Sequence, residues 1–440
     1  MKEISTVKYN AMWSAPEISE RIQSGIEKNR KASSSILVLD ADGKPLQGAK
    51  VECLQTNSVF HFGANIFKLD EFETDELNAR YEKAYLELFN AATVPFYWKT
   101  LELERGKPRF DADSVPVLRR PPPDKVVSYC EKHGLRMHGH YLVWDLYTWS
   151  APDWVSSDPA KAKENAQLFR ERILEIGKRY GHRIHRWDAV NEAFRTPERI
   201  ASGKSCSMPE DYVRQSFEWG AEAFPPSTRF DINDVTAIWI DEGLETYSTM
   251  VEKLVDAQAP IGGVGMQFHF SNISVPKILD GTYVSPEMLF KGLDTMGRFN
   301  LPIHVSEITM PAVDNSPQGQ AVQAEIARNF YRLWFSHPAV DGITWWNFTD
   351  VGAVKGQDHL LSGLLNSDLM PKLAYNALKD LIHNEWRTHH QDETDESGQL
   401  QFRGFSGDYK ITVQHGDKQV IRNIAVNAKN EASTVTIKLI

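Results

Sequence analysis

The sequence predicts an α/β fold: a (β/α)8 TIM barrel with a small accessory β-sandwich built from N- and C-terminal strands. Three observations predict this architecture. The middle of the chain alternates short β-rich segments with amphipathic helical ones, and the β-rich segments start about 30 to 50 residues apart. Both ends carry short strand-like segments separated by turn residues. The length of 440 residues accommodates a barrel of about 250 residues or more and one small domain.

Eight β-rich segments follow one another at the spacing of βα units. We predict barrel strands over Phe60–Ile66, Ala92–Trp98, Arg136–Trp144, His185–Ala193, Arg229–Val235, Ile261–Phe270, Leu301–Met310 and Val340–Phe348. Apolar residues recur at helical intervals in Glu164–Tyr180, Leu244–Val255 and Gln320–Phe335, which predicts helices there. Eight successive units favour a closed barrel over a doubly wound sheet.

The ends of the chain are predicted to form the accessory domain. Residues 1–30 are expected to be an extended lead followed by a short helix, Glu17–Lys28. Residues 31–58 supply the N-terminal strands, residues 59–385 the barrel, and residues 399–440 the C-terminal strands. The polar, charged residues 386–398 predict a linker. Because a two-stranded hairpin is marginal in water, we expect the N- and C-terminal strands to share one sandwich.

Composition excludes several classes of protein. Acidic residues outnumber basic ones 59 to 49, and no lysine- or arginine-rich block occurs, which argues against a nucleic-acid partner. No apolar run approaches the ~20 residues of a membrane-spanning helix. The three cysteines, Cys53, Cys130 and Cys206, are scattered, so they predict neither a disulfide framework nor a metal site, and at most one bridge. No cofactor is expected, and the sequence leaves the oligomeric state open.

The first ten residues lack the apolar stretch of a signal peptide. This leaves two alternatives for localisation. Either the protein is secreted or periplasmic and its export signal is absent from this chain, which we expect, or it is cytoplasmic.

Polar and aromatic side chains cluster at the predicted C-terminal ends of the barrel strands, where barrel enzymes place their working residues. They are Tyr97, Lys99, His138, His140, Trp144, Asp145, Asp188, Asn191, Glu192, Asn233, Asp234, Gln267, His269, Glu307, Trp346 and Asn347. Carboxylates, amides and imidazoles together with indoles suit a polar ligand with flat apolar faces. A sugar fits that description.

Two of these carboxylates, Glu192 and Glu307, follow apolar strand sequence. Two partly desolvated carboxyl groups in one cleft do not both ionise easily, so one can act as an acid and the other as a nucleophile, as glycoside hydrolysis requires. The alternative is that either glutamate closes an ion pair at the barrel rim. His138 and His140 alternate on one strand face as metal ligands do, but no third ligand stands at metal spacing, and we expect no metal.

Four motifs carry a specific resemblance. HGHYLVWD (138–145), WDAVNEAF (187–194), VGMQFHF (264–270) and HVSEITM (304–310) resemble the strand three, four, six and seven motifs of glycoside hydrolase family 10. That is the family of retaining endo-β-1,4-xylanases, which are (β/α)8 barrels. The resemblance extends from about Phe60 to Asn384, with the motifs in the same order.

The resemblance implies a role for each matching residue. Glu192 would be the general acid/base, Asn191 would hold the sugar's 2-hydroxyl, Glu307 would be the nucleophile, and His269 would orient it. The positions that bind the sugar at the cleavage point match Lys99, His140, Trp144, Gln267 and Trp346. We add Asp145 to this substrate-binding set, since it stands where the family usually has histidine. The pair Asn233-Asp234 is expected to be structural.

Several departures from the family pattern alter the predicted cleft. Pro95-Phe96 replaces the Glu-Asn pair that grips the next sugar on the non-reducing side, and asparagine at Phe96 is expected to restore that grip. Thr309 replaces an aspartate, and Asn347 replaces a glycine. The second tryptophan of the following loop is missing from Asp350–Leu361.

These departures predict a retaining β-glycoside hydrolase that is xylanase-like in its catalytic residues and altered in its grip on xylan. We expect poor activity on unbranched xylan and better activity on short, aryl or substituted β-glycosides of plant type. The alternative is a non-catalytic barrel that kept the shape and binds carbohydrate or protein.

Overall fold

The computed structural model describes residues 4–194, 208–235, 237–354, 356–428 and 433–440. Its strands are β1 (Lys31–Leu39), β2 (Lys50–Ser58), β3 (His61–Asn65), β4 (Ala91–Pro95), β5 (Arg136–His140), β6 (Val143–Trp144), β7 (Arg186–Asn191), β8 (Arg229–Asp234), β9 (Gly263–His269), β10 (Ile303–Thr309), β11 (Val340–Trp345), β12 (His389–Glu393), β13 (Gln399–Phe405), β14 (Gly407–His415), β15 (Lys418–Val426) and β16 (Ser433–Lys438). The α-helices are Val7–Trp13, Pro16–Arg30, Asp75–Leu88, Trp98–Leu101, Pro123–His133, Tyr147–Ser150, Ala162–Tyr180, Tyr212–Ala223, Asp241–Asp256, Ser274–Leu279, Pro286–Gly297, Pro317–Ser336 and Leu373–Asp380.

Strands β3 to β11 form the predicted closed parallel barrel of eight positions, with β5 and β6 sharing one position. The sheet closes because β3 pairs with both β4 and β11, while β5 and β6 both pair with β7. Gly139 of β5 sits opposite Trp187 of β7, and a Cβ at Gly139 would overlap the indole ring. This close approach explains why a glycine separates His138 and His140.

The terminal strands form the predicted β-sandwich. One sheet has the order β13–β1–β16 and the other the order β12–β2–β14–β15. Strand β1 runs antiparallel to β13 and parallel to β16, and β2 runs antiparallel to β14. Side chains from both sheets share one apolar core, which includes Ile36, Val38, Val51, Ile411 and Val413. N- and C-terminal residues therefore complete each other's core.

Two expectations for the chain ends are wrong. The predicted linker, residues 386–398, contains strand β12, which pairs antiparallel with β2 at the edge of the sandwich. Its side chains are mostly exposed, so their polarity reflects an edge position and the backbone hydrogen bonds make the strand. The lead is not extended, because Val7–Trp13 is a helix that buries Tyr9 and Trp13.

The N-terminal helices attach the sandwich to the barrel. Pro16–Arg30 lies against the barrel helix Pro317–Ser336, and a Cβ at Gly25 would come within 2.7 Å of the Ser336 carbonyl oxygen. The Arg30 guanidinium donates to the Val340 carbonyl at 2.8 Å, at the start of β11. The accessory domain therefore lies at the N-terminal end of the strands, opposite the mouth.

Two properties of the described residues bear on the earlier expectations. Within these ranges, no helix combines the length and the apolar character needed to cross a membrane. Cys53 and Cys130 are buried free thiols, and Cys206 lies outside the described residues.

Candidate active site

The register of the barrel brings the predicted polar residues together in pairs. Asn191 of β7 is the register partner of Asn233 of β8, and Glu307 of β10 is that of Gln267 of β9. Thr309 is likewise paired with His269. All of these positions lie near the C-terminal ends of their strands, so the strands themselves fix the geometry of the site.

Glu307 is the centre of this arrangement and is only 4% exposed. Its Oε1 accepts a hydrogen bond from Nδ2 of Asn233 at 2.9 Å, and its Oε2 lies 3.2 Å from Nε2 of His269. Nε2 of His140 lies 3.9 Å from Oε1. Burial raises the pKa of Glu307 to about 8, with the Asp188 charge acting in the same direction, while His140 and Asn233 lower it.

Asn233 was expected to be structural, and its contacts place it in the site instead. Its Nδ2 reaches both Glu307 and the Oδ1 of Asn191, the latter at 2.9 Å. The Oδ1 of Asn233 accepts from the Ser306 hydroxyl at 2.5 Å, which fixes the orientation of the amide. An inward-facing asparagine at a strand end was the available signal, but the contact spans β8 and β10, which are not neighbours.

Asn191 is held between two donors. Its Oδ1 accepts from Asn233 and, at 3.2 Å, from Nε2 of Gln267. With its oxygen engaged in this way, the amide of Asn191 can offer only N–H donors to a ligand. This orientation suits a group that holds a sugar hydroxyl oxygen.

His269 is a neutral imidazole. Burial lowers its pKa to about 4, although the charge of Glu192 opposes the shift. Its Nδ1 lies 2.7 Å from the Thr309 hydroxyl oxygen. When Glu307 is ionised, Nε2 must carry the proton and donate to Glu307, so Nδ1 accepts from Thr309. Thr309, which replaces the family's aspartate, thus keeps the histidine in place without adding charge.

Asp188 anchors His140 beneath Glu307. Its carboxylate lies 2.7 Å from Nδ1 of His140 and 3.0 Å from Nε2 of His138. Burial alone would raise the pKa of Asp188, but the two histidines outweigh burial and the pKa falls below its usual value. The predicted histidine pair therefore converges on a carboxylate. The sequence placed Asp188 at a strand end but assigned it no role.

Glu192 follows the end of β7 and is less buried than Glu307. Its backbone N–H donates to the Asn233 carbonyl at 2.7 Å, and its φ of +48° is in the left-handed region. The charges of both glutamates act on Tyr97, whose pKa burial raises and the two carboxylates raise further. The two carboxyl groups therefore share one cleft but differ in their environments.

An aromatic wall borders the two glutamates. It consists of Phe67, Tyr97, Tyr141, Trp144 and Trp346, which cluster separately from the main barrel core. The Trp346 ring lies 5.2 Å from that of His140 and 6.3 Å from that of His269, and the Tyr97 ring lies 5.4 Å from that of His140. The two predicted tryptophans thus lie at the mouth, as expected.

Two predicted substrate-binding residues have no described contact with this cluster. The Nζ of Lys99 is 2.7 Å from the Asp153 carboxylate, in a half-buried position. Asp145 follows β6 and is fully buried. The structure thus places both residues beside the mouth without placing them against Glu307.

The expectation for Phe96 is wrong. Its ring is fully buried and packs 4.7 Å from Trp187 and 5.1 Å from Tyr180. It therefore points between the barrel and its helices, and Tyr97 takes the position at the mouth. Asparagine at residue 96 would place an amide in the apolar core rather than in the cleft.

One cluster among the described residues has the composition of a cation site. His138, Asp231 and His304 bring ligand atoms within 4.8 Å of one another, buried inside the barrel. The Asp231 carboxylate is already paired with Arg186 and Arg229, each at 2.7 Å. Two adjacent guanidinium groups repel a cation, so these residues do not fit a metal ion.

The sequence model of glycosyl hydrolase family 10 matches residues 62–381. The chain belongs to this family. The match covers the whole barrel and both glutamates, and it leaves out the sandwich strands. The family 10 barrel is therefore the part of the chain that carries the candidate active site.

Curated relatives match the family 10 barrel and parts of its surroundings. The anti-sigma-I factor RsgI6 of Acetivibrio thermocellus is 26% identical over 88% of this chain and 45% of its own length. Endo-1,4-beta-xylanase 2 of Arabidopsis thaliana is 24% identical over 93% of this chain and 35% of its own length. The chain thus spans less than half of each of these relatives.

A solved structure of a family 10 enzyme has the same barrel. Xylanase 10B from Thermotoga petrophila, solved in complex with xylobiose, is 22% identical and has a TM-score of 0.61. The likeness covers 74% of this chain and 94% of that protein. It supports the fold, since an identity this low extends no further.

Proposed function

We propose that the protein is a retaining β-glycoside hydrolase that uses double displacement on a plant-type β-linked glycan or oligosaccharide. The observation that carries this proposal is the different surroundings of two carboxyl groups in one cleft. Glu307 is buried and receives Asn233 and His269 on its two oxygens, while Glu192 is more accessible. Different environments are what allow one carboxyl group to attack and another to donate a proton.

Glu307 is the proposed nucleophile. Hydrogen bonds to both of its oxygens hold the carboxylate in one orientation, which positions it for attack on the anomeric carbon. Attack requires the ionised form, and burial places the pKa of Glu307 at about 8. The reactive fraction therefore increases as the pH rises toward this value.

Glu192 is the proposed general acid/base. Its partly accessible side chain suits a group that first protonates the leaving oxygen and then activates a water molecule. The proton leaves Glu192 in the first step and returns from water in the second. The glycosyl–Glu307 ester formed in the first step is thereby hydrolysed, and the product keeps the β configuration.

The remaining predicted residues would hold the sugar. Asn191 offers amide N–H donors, and the indole of Trp346 offers an apolar face to sugar C–H groups. Gln267 and His140 lie beside these two residues, and Trp144 belongs to the same aromatic wall. Lys99 and Asp145 are proposed to contact substrate from the rim.

The grip on a second sugar is proposed to differ from that of a xylanase. Neither Pro95 nor Phe96 supplies a polar side chain to the cleft, and the face of Tyr97 carries a guanidinium group, that of Arg120. Losing two polar contacts of ~0.5–1.5 kcal/mol each would weaken the grip on plain xylan by roughly one or two decades. Short, aryl or substituted β-glycosides depend less on those contacts.

The test is to trap the proposed intermediate. A 2-deoxy-2-fluoro β-glycoside with a good leaving group should label the protein once, and peptide mass spectrometry should locate the label on Glu307. Glu307→Gln should prevent labelling and turnover. Glu287→Gln, which changes an exposed glutamate on Pro286–Gly297, should leave both unchanged.

The anomer of the first product separates the mechanisms. NMR of fresh hydrolysates should show the β anomer first. A first-formed α anomer would overturn the retaining mechanism, and binding of oligosaccharides without turnover of any β-glycoside would instead support the non-catalytic barrel.

A further inference from the structure

Two adjacent arginines border the aromatic wall of the candidate site. The Cζ atom of Arg120 lies 3.5 Å from the ring centroid of Tyr97 and 5.1 Å from that of Phe67. The Phe67 ring in turn packs 5.4 Å from Trp346. Only one layer of rings therefore separates the Arg120 guanidinium from the imidazole of His140 and the indole of Trp346.

The positive charge of this pair is not balanced by the surrounding side chains. Arg119 is 9% exposed, and within the described ranges the Nε of Arg119 and that of Arg120 have no hydrogen-bond partner. Glu71 is the carboxylate whose charge acts on both arginines. Its Oε2 lies 3.1 Å from Nζ of Lys68, so three cations share one carboxylate.

Desolvation makes this excess of charge costly. Burial lowers the pKa of Arg119 to about 10, with the charge of Arg120 acting in the same direction, and burial also lowers the pKa of Arg120. Guanidinium groups are seldom left buried without an anionic partner. An anion bound beside them would relieve both the repulsion and the missing hydrogen bonds.

The backbone holds the pair in a fixed position. Arg119 has a φ of +60°, in the left-handed region that residues other than glycine seldom adopt. Its backbone N–H donates to Oε2 of Glu71 at 2.8 Å. The segment Pro121–Pro123 follows directly and restricts the chain further. The arginines are therefore presented by a rigid loop rather than by a mobile surface.

We propose that Arg119 and Arg120 bind the carboxylate of a uronic acid unit carried by the β-glycoside substrate, next to the sugar at the cleavage point. This inference rests on the proposed glycosidase function and names its substrate class. The planar guanidinium fork matches a carboxylate with two parallel hydrogen bonds. The pair also stands on the side of β3 and β4, where the family's polar grip on a neutral sugar is missing.

The test compares one acidic oligosaccharide with its neutral counterpart. The probes are a glucuronic acid-substituted xylo-oligosaccharide and the same compound after its carboxyl group has been reduced to an alcohol. We expect kcat/KM of the unmodified protein to be roughly 10- to 100-fold higher for the acid. The preference should shrink as sodium chloride is added, since salt screens the attraction.

Variants locate the preference. Arg120→Gln should remove most of it, and Arg120→Lys, which keeps the charge but loses the fork, should retain part of it. The control is Arg298→Gln, because Arg298 is exposed and also stacks on a ring, that of Phe299 at 4.8 Å. This control should keep the full preference.

Binding separates this inference from the proposed function. Calorimetry with the Glu307→Gln variant should give roughly 10- to 100-fold tighter binding of the acid than of the reduced compound. Equal affinity and equal kcat/KM for the two compounds would overturn the inference even if both are hydrolysed. Preferential binding without hydrolysis by the unmodified protein would support the arginine site and contradict the proposed hydrolase. If Arg120→Gln does not fold, the comparison of the two substrates on the unmodified protein still decides.

Discussion

The Nδ2 of Asn233 lies 2.9 Å from Oε1 of Glu307, and it joins two barrel strands that have β9 between them. The Ser306 hydroxyl donates to the other end of the amide, so the N–H group must face the carboxylate. A donor favours the ionised form of its acceptor. Asn233 therefore counteracts the effect of burial on the Glu307 carboxyl group.

Asn233→Ala should move the acid limb of the pH–rate profile to higher pH. Removing the donor leaves burial unopposed at Oε1, so the pKa of Glu307 rises further and less of it is ionised at neutral pH. We expect a shift of roughly 1–2 pH units, measured as kcat/KM on an aryl β-glycoside whose good leaving group needs no protonation. Asn376→Ala, at an exposed position on Leu373–Asp380, should not move the midpoint. A lower rate with an unmoved midpoint would contradict this role.

Glu192→Ala should separate substrates by leaving group. A dinitrophenyl glycoside needs little protonation, so the first step should survive and a glycosyl-enzyme should accumulate, seen as a burst of released phenol. Unactivated oligosaccharides should lose roughly 10²- to 10⁴-fold in rate. Added azide should restore turnover of the activated substrate by replacing the water step. Equal loss on both substrates would show that Glu192 is not the acid.

The fold could be predicted because its signals are periodic. Each of the eight predicted barrel strands overlaps an observed strand, and Glu164–Tyr180 differs from the observed helix by only two residues at its start. Strand β12 was missed because edge strands can be polar on both faces, so HHQDE carries no alternation. The helix Val7–Trp13 was missed because seven residues are too few for a clear helical period.

The site could be predicted only as far as strand ends indicate it. Sequence places Asn233 and Glu307 at one mouth, but their contact depends on how barrel closure brings β8 toward β10. Arg119 and Arg120 lie in an irregular loop, where no period exists to read. Phe96 was assigned to the wrong side because the chain turns into the short helix Trp98–Leu101 directly after it.

Phe96→Asn should destabilise the protein and should not improve activity on xylo-oligosaccharides. The change removes an aromatic ring packed on Trp187 and leaves an amide in apolar surroundings. We expect a loss of about 3–5 kcal/mol in the free energy of unfolding, measured by urea denaturation. Phe96→Leu, which stays apolar, should lose much less. A stable Phe96→Asn protein with improved activity would mean that the side chain reaches the cleft.

The shared sandwich predicts a difference between two isoleucines on neighbouring strands. Ile411 of β14 is fully buried in the sandwich core, and Ile421 of β15 is 46% exposed. Ile411→Ala should cost about 2–5 kcal/mol and Ile421→Ala less than about 0.5 kcal/mol. Proteolysis of Ile411→Ala should then cut both the N-terminal strands and residues 399–440, because each sheet contains strands from both. Release of the C-terminal strands alone would show that the two ends are independent.

Thr309→Asp should reverse the protonation of His269. The Thr309 oxygen is 2.7 Å from Nδ1 of His269, so a carboxylate there favours the imidazolium and raises the histidine pKa from about 4. A charged His269 beside Glu307 would in turn lower the pKa of Glu307 from about 8. The acid limb of kcat/KM on an aryl β-glycoside should therefore move to lower pH, opposite to the shift in Asn233→Ala.

Two further variants at this position separate charge from orientation. Thr309→Ser keeps the hydroxyl and should keep the midpoint, while Thr309→Val loses the hydroxyl and should lower the rate without moving the midpoint. Nitrogen-15 NMR of the His269 ring reports the protonation state directly. If Thr309→Asp raises the His269 pKa but leaves the acid limb in place, then His269 orients Glu307 without influencing its charge. If neither value moves, the added carboxylate is itself protonated in these buried surroundings, and the threonine hydroxyl serves only to hold the ring.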